Sequence, residues 1–192
     1  MDNTDIQQIA QNAARQANYK MHAKQLAVPI FKDMKPISID DPHMIFFFED
    51  EAHSEHFASD GYIEDGQFEG RVSLRLEQLK QIMANQGCEM NYMFFKDYDN
   101  GTFKFKLYVC DTIAPNGEGK KIVREIHAYF VEPRMHDLYQ IVWSVGPFPM
   151  PTETLKPGVI DLENDAITAQ QVQRMQIIMD GVKYRNQSGA IS

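Results

Sequence analysis

Apolar positions recur with two different periods along this chain, and each change of period marks an element. Near the N-terminus Ile6, Ile9, Ala10, Ala13 and Ala17 fall at helical spacing. Thr4-Asp5-Ile6-Gln7 ahead of them has the form of a capping box, and Pro29 and Pro36 forbid continuation, so a helix is predicted over about 4 to 25. His43 to Phe48 is a short apolar run that reads as a buried strand. Residues 49 to 70 are acidic and carry Gly61, Gly66 and Gly70, which predicts mostly loop with a helical turn near 51 to 58. Val72, Leu74 and Leu76 then alternate, while Leu76, Leu79, Ile82 and Met83 fit a helix. A short strand or a Ser73-capped start, followed by helix to about Asn85 with Gly87 at its C-terminal cap, reconciles the two patterns.

Asn100-Gly101 lies between two long β-prone runs and predicts a hairpin with a two-residue type I′ turn. In that register Asp97 faces Lys104, Tyr98 faces Phe103, and Met90, Tyr92 and Phe94 share a face with Val109 and Leu107. Met93, Phe95 and Tyr108 then fall together on the other face. A turn through Ala114 to Gly119 leads to a strand over about 120 to 132, and Pro133 to Asp137 leads back into Leu138 to Val145. Tyr139, Ile141, Trp143 and Val145 form one apolar stripe in that last strand. Four successive long strands joined by turns make a meander, and no crossover helices alternate with them.

The fold class expected is therefore α+β: an antiparallel meander sheet of four to five strands with N-terminal, middle and C-terminal helices. Residues 1–146 read as one α+β domain. Residues 147–185 read as an extended arm, stiffened by Pro147, Pro149, Pro151 and Pro157, and a C-terminal helix docking on the same domain. Thr168 to Gln171 is a second capping box, and Ala169, Val172, Met175, Met179 and Val182 follow as an apolar seam. That seam is shorter than the roughly three heptads a coiled coil needs, which favours docking on the core over helix-mediated dimerisation. Residues 186–192 read as a frayed tail.

Charge changes the picture. The formal net charge is −8 over 192 residues, which argues against general binding to a nucleic-acid backbone. Residues 40 to 69 hold ten of the 27 acids and no Lys or Arg, leaving 17 acids against the chain's 19 bases elsewhere. Such a run is most often a solvated face; the alternative is a basic partner surface or a cation. The longest apolar run, Met44 to Phe48, is far below membrane-spanning length, and acids and glutamines stand where a signal peptide needs cations and apolar residues. Two cysteines that are not directly opposed fit reduced thiols and a cytoplasmic protein without membrane contact.

Three groups of residues are candidates for function. His127, Glu125 and Trp143 come together if Glu132 stands opposite Leu138, placing an imidazole and a carboxylate on an aromatic-lined concave sheet suited to acid–base work or a small ligand; the plainer alternative is a satisfied core histidine. His53 and His56 would share a face of the expected helical turn, where Glu49 could add a carboxylate, and with the neighbouring Glu51 they are weak metal candidates; an acidic loop with incidental histidines is the default, so no metal is expected. Met93, Phe95 and Tyr108 leave an apolar excess on the hairpin's second face, either covered by a helix or serving as an interface. No nucleophile elbow, phosphate-binding glycine motif or EF-hand loop occurs, and no cofactor is implied. The leading expectation is a non-catalytic interaction or assembly module, a homo-oligomer or the binder of a protein partner. A ligand-binding or enzymatic domain near His127 and Trp143 is the second reading, and a metal-binding protein the third.

Overall fold

The computed structural model describes residues 26–29, 35–38, 44–50, 53–116, 119–149 and 166–184. The helix expected over 4 to 25 and the tail from 186 lie outside them. In chain order the elements are β1 (Leu26–Ala27), β2 (Lys35–Ser38), β3 (Met44–Asp50), β4 (His53–Tyr62), α1 (Phe68–Asn85), β5 (Glu89–Asp99), β6 (Lys104–Asn116), β7 (Gly119–Glu132), β8 (Asp137–Pro149), α2 (Ala166–Gly181) and β9 (Lys183–Tyr184). Strands β2 to β8 form one seven-stranded sheet in the order β2-β3-β4-β8-β7-β6-β5, every neighbour antiparallel. The α+β class and the four-strand meander hold, and the sheet is larger than expected. No helix among the described residues is long and apolar enough to cross a membrane.

Two of the three further strand pairings involve the segment read as loop. Instead of a helical turn near 51 to 58, β4 runs between β3 and β8, with Phe57 opposite both Ile45 and Ile141. Its composition argues against a strand, and pairing on both sides overrides that bias. The middle helix starts at Phe68 rather than near Ser73, so the alternating stretch 72 to 76 is helical. Val72 and Leu76 are buried and Phe68, Leu79 and Met83 partly so, a seam at helical spacing. At its end Gly87 takes φ +76° and Cys88 N–H donates to the Met83 carbonyl at 2.9 Å, closing the helix as a glycine C-cap does.

Each sheet face carries one helix. Packed on the α1 side are Ile63, Met90, Cys110, Tyr129 and Leu138. On the other side Phe57, Phe105, Leu107, Val109, Ile126, Phe130 and the stripe Tyr139, Ile141 and Trp143 pack with Met175, Ile178, Met179 and Val182 of α2. The C-terminal helix thus docks on the core, as its seam predicts. Thr168 does not open it: α2 begins at Ala166, and Gln171 donates to the Arg124 carbonyl at 2.8 Å instead of reaching back to a cap. Strand β8 continues to Pro149, so the first two prolines assigned to the arm belong to the sheet. Beyond α2, β9 pairs with β1 and ties the two ends of the described chain together.

Both hairpin registers differ from expectation. Asp99 pairs with Lys104, making residues 100 to 103 a four-residue loop in place of a two-residue turn. A type I′ turn needs positive φ at both central residues, and only Gly101, at +87°, has it. Phe103 drives the change: at 2% exposure it is buried in the core, with ring centroids 5.2 Å from Phe130 and 5.1 Å from Tyr184. The charge pair moves with the register, and Asp97 meets Lys106 at 3.0 Å rather than Lys104.

Candidate functional site

In the β7–β8 hairpin Glu132 pairs with Asp137, one residue short of the expected Leu138, so His127 stands opposite Val142 and Ile126 opposite Trp143. Two features close this loop in four residues. His136 adopts φ 56°, and the Glu132 carboxylate accepts the Arg134 and Met135 amides at 2.9 and 2.6 Å. A one-residue slip moves every side chain to the opposite face. Trp143 therefore lies in the α2-side core, 4.5 Å beneath the Arg174 guanidinium, and His127 lies on the α1 side. The expected group of His127, Glu125 and Trp143 is not assembled as a whole.

Its polar half is. Across β6, β7 and β8 the registers align Tyr108 with His127 and Val142, Cys110 with Glu125 and Ser144, and Tyr129 with Gln140. His127 is 1% exposed, and its Nε2 lies 2.6 Å from Glu125 Oε2. The other carboxylate oxygen accepts from the Ser144 hydroxyl at 2.7 Å. On the far side of the ring, Nδ1 is 3.1 Å from the Tyr129 hydroxyl and 3.0 Å from Gln140 Nε2. Burial opposes the ring's charge, but Cys110, Tyr129 and the bond to Glu125 outweigh it and hold the His127 pKa well above the usual histidine range. Burial pushes the Tyr129 hydroxyl up as well. The arrangement suits holding and exchanging a proton. Cys110 forms no disulfide and is fully buried.

The metal candidates lose the argument that joined them. His53 and His56 are positions of β4, where a separation of three does not bring two residues to one face. Glu51 lies outside the described residues. By register, His56 is the position next to Val142 on the His127 row, and His53 is paired with Val145. Among the described residues no group of three or more His, Cys, Asp or Glu is arranged to hold a metal ion.

The third candidate group is divided by a bulge. The β5–β6 register shifts between Phe94 and Lys96, leaving Phe95 as the extra residue, and the faces exchange there. Met93 and Phe95 pack against the α2-side core, whereas Tyr108 packs on the α1 side with Tyr92. The apolar excess of Met93 and Phe95 is thereby covered internally. What stays open is a strip that the expected register hid. Phe94 is 46% exposed and meets Tyr108 edge-on at 5.7 Å, with Tyr92 on the other flank, 6.5 Å from Tyr108. Lys106 Nζ sits 5.3 Å over the Phe94 ring and bridges Asp97 at 3.0 Å and Glu69 of α1 at 3.2 Å. The bond from Tyr92 to Glu77 of α1, at 2.5 Å, together with burial pushes the Tyr92 hydroxyl up to about 12. The strip borders β5, which ends the strand order and has no partner on its outer edge among the described residues.

One buried pair escaped the sequence reading. Arg124 Nε and Nη2 meet Asp111 Oδ1 and Oδ2 at 2.7 and 2.9 Å, a bidentate bridge with both residues inside. Its register follows from the pairing of Asn116 with Gly119, which, counted back, sets Asp111 opposite Arg124.

No protein-family model matches this chain, and no curated protein matches its sequence. Solved structures do match its fold. The Saccharomyces cerevisiae Ran-binding protein Mog1p superposes with a TM-score of 0.54 at 11% identity, over 86% of this chain and 93% of that one. A Mog1 point mutant gives a TM-score of 0.53 at 11% identity, over 85% of this chain and 92% of its own. At that identity the likeness shows a shared fold.

Proposed function

We propose that this protein is a non-catalytic interaction module that associates with copies of itself through the outer edge of β5, which has no strand partner among the described residues, and the aromatic strip beside it. The observation that carries the reading is the strip itself: an exposed phenylalanine backed by two tyrosines, next to an 11-residue edge strand. Aromatic residues are enriched at protein interfaces, and an unpaired strand edge offers backbone groups to a second chain. The fold likeness supports the class, since the solved neighbour is by name a Ran-binding protein. Tyr108 keeps its role as an interface candidate, whereas Met93 and Phe95 act as supports behind β5.

The acidic segment has a separate part in this reading. Its described acids fall on β3, β4, the loop that follows and the first turn of α1, mostly away from β5, and they serve solubility or a basic partner. The ligand-site reading has a weaker basis, because Trp143 and His127 lie on opposite faces of the sheet.

Light scattering of untagged protein over a wide concentration range tests self-association. A mass rising above 22.1 kDa with concentration supports it, and a constant 22.1 kDa contradicts it. Titration of the monomer with purified Ran then decides whether the interaction class survives with another partner.

A further inference from the structure

We propose that Glu125 and His127 form a buried proton switch, in which the imidazole takes up and releases one proton while the sheet around it stays in place. The geometry that carries this is the asymmetry of the ring's two sides. Nε2 faces a carboxylate at 2.6 Å, so it is the protonated nitrogen in both charge states. Nδ1 faces the Tyr129 hydroxyl at 3.1 Å and the Gln140 carboxamide at 3.0 Å. Both of those groups can serve either state. For the neutral ring, the tyrosine O–H or the amide N–H donates to Nδ1. For the charged ring, the hydroxyl rotates to present its oxygen and the amide turns over to present Oε1, each accepting from Nδ1–H. Most buried histidines are matched to one protonation state, because the other leaves a donor facing a donor. Here no backbone movement is required to exchange them.

The surroundings also connect the ring to solvent and fix its electrostatics. Glu125 is the exposed end of the chain of groups, with 27% of its side chain accessible against 1% for the histidine. From β6, Tyr108 lies opposite His127 and the Cys110 thiol acts on the ring. From β7 the ring meets Glu125 and Tyr129, and from β8 Gln140, with Ser144 holding the second carboxylate oxygen. Arg75 of α1 acts on Tyr129, and β4 brings the position of His56 alongside Val142. The His127 pKa, held well above its ordinary range, agrees with a ring that carries its charge through that range. A proton bound more tightly in the folded than in the unfolded chain stabilises the fold fully below about pH 6.5. That stabilisation is lost as pH rises through the folded-state value.

The test is a histidine-ring NMR titration of the full-length protein from pH 5 to 9, paired with urea unfolding across the same range. The expected result is a His127 midpoint above 6.5, Nε2–H as the neutral tautomer, and an unfolding midpoint that falls as pH rises through the His127 transition. Glu125→Gln keeps a hydrogen-bond acceptor and removes the charge, and it should lower the His127 midpoint. A ring that stays in one protonation state throughout, that titrates at or below 6.5, or whose midpoint Glu125→Gln leaves unchanged would overturn the proposal. The titration of the unaltered protein decides the matter even where a variant fails to fold.

Discussion

The carboxamide of Asn100 joins two elements at the tip of the β5–β6 hairpin. Its oxygen accepts the Thr102 and Phe103 amides at 2.9 and 2.7 Å, and its nitrogen donates to the Met179 and Val182 carbonyls at 2.6 and 3.1 Å. The first pair shapes the loop; the second ties it to the Val182 carbonyl just past α2 and to the Met179 carbonyl, which also accepts the Val182 amide at 3.2 Å. Asn100→Ala should therefore cost about 1–3 kcal/mol, measured as a shift in urea midpoint without change in slope. The Asp111–Arg124 bridge follows a different logic. Both charges are inside, so removing Asp111 takes the bidentate partner from a desolvated guanidinium. Asp111→Ala should cost about 3–5 kcal/mol by the same measurement. Replacing both residues by apolar ones of similar volume should recover much of that loss. A double variant as unstable as the single one would show that the bridge is more than a matched pair.

At the scale of elements, helix α2 is held at its C-terminal end by a close backbone approach. A Cβ built at Gly181 would overlap the ring of Pro29, which cannot swing aside as a flexible side chain would. Gly181→Ala should lower stability by about 1–3 kcal/mol through displacement of the β1–β9 ribbon, and near-ultraviolet circular dichroism of the Tyr184 environment should change with it. The same scale shows what the sequence could reveal. The β8 stripe of Tyr139, Ile141 and Trp143 and the seam of α2 were legible because one face of each is buried in a single core. Strand β4 was not, because acids and a glycine masked it, and only its two neighbours make it a strand. Both hairpins were found and both registers misread, for one reason: loop length was set by side chains elsewhere. Phe103 needed burial and Glu132 capped its own turn, neither of which turn propensity contains. In the candidate site, the contact of Glu125 with His127 was readable from their spacing along one strand. The separation of His127 from Trp143 and of Tyr108 from Met93 was not, since each hangs on a one-residue shift.

At the scale of the whole molecule, the described residues form a sheet with a helix on each face, and in the proposed reading the outer edge at β5 receives another chain. Phe94 sits at that edge without belonging to either core. Its replacement by glutamate removes ring contacts with Tyr108 and Lys106 while leaving both helix-packed clusters intact, so folding stability should change by less than about 1 kcal/mol. Association, by contrast, should suffer, because a carboxylate would be buried between two copies of the aromatic strip. Sedimentation velocity of the unaltered protein and of Phe94→Glu, each over a hundredfold range of concentration, tests the central claim most directly. The account predicts that the unaltered chain shifts to faster sedimentation as concentration rises and that the folded Phe94→Glu variant stays at the monomer value. Identical sedimentation of the two at every concentration, whether both associate or neither does, would contradict it.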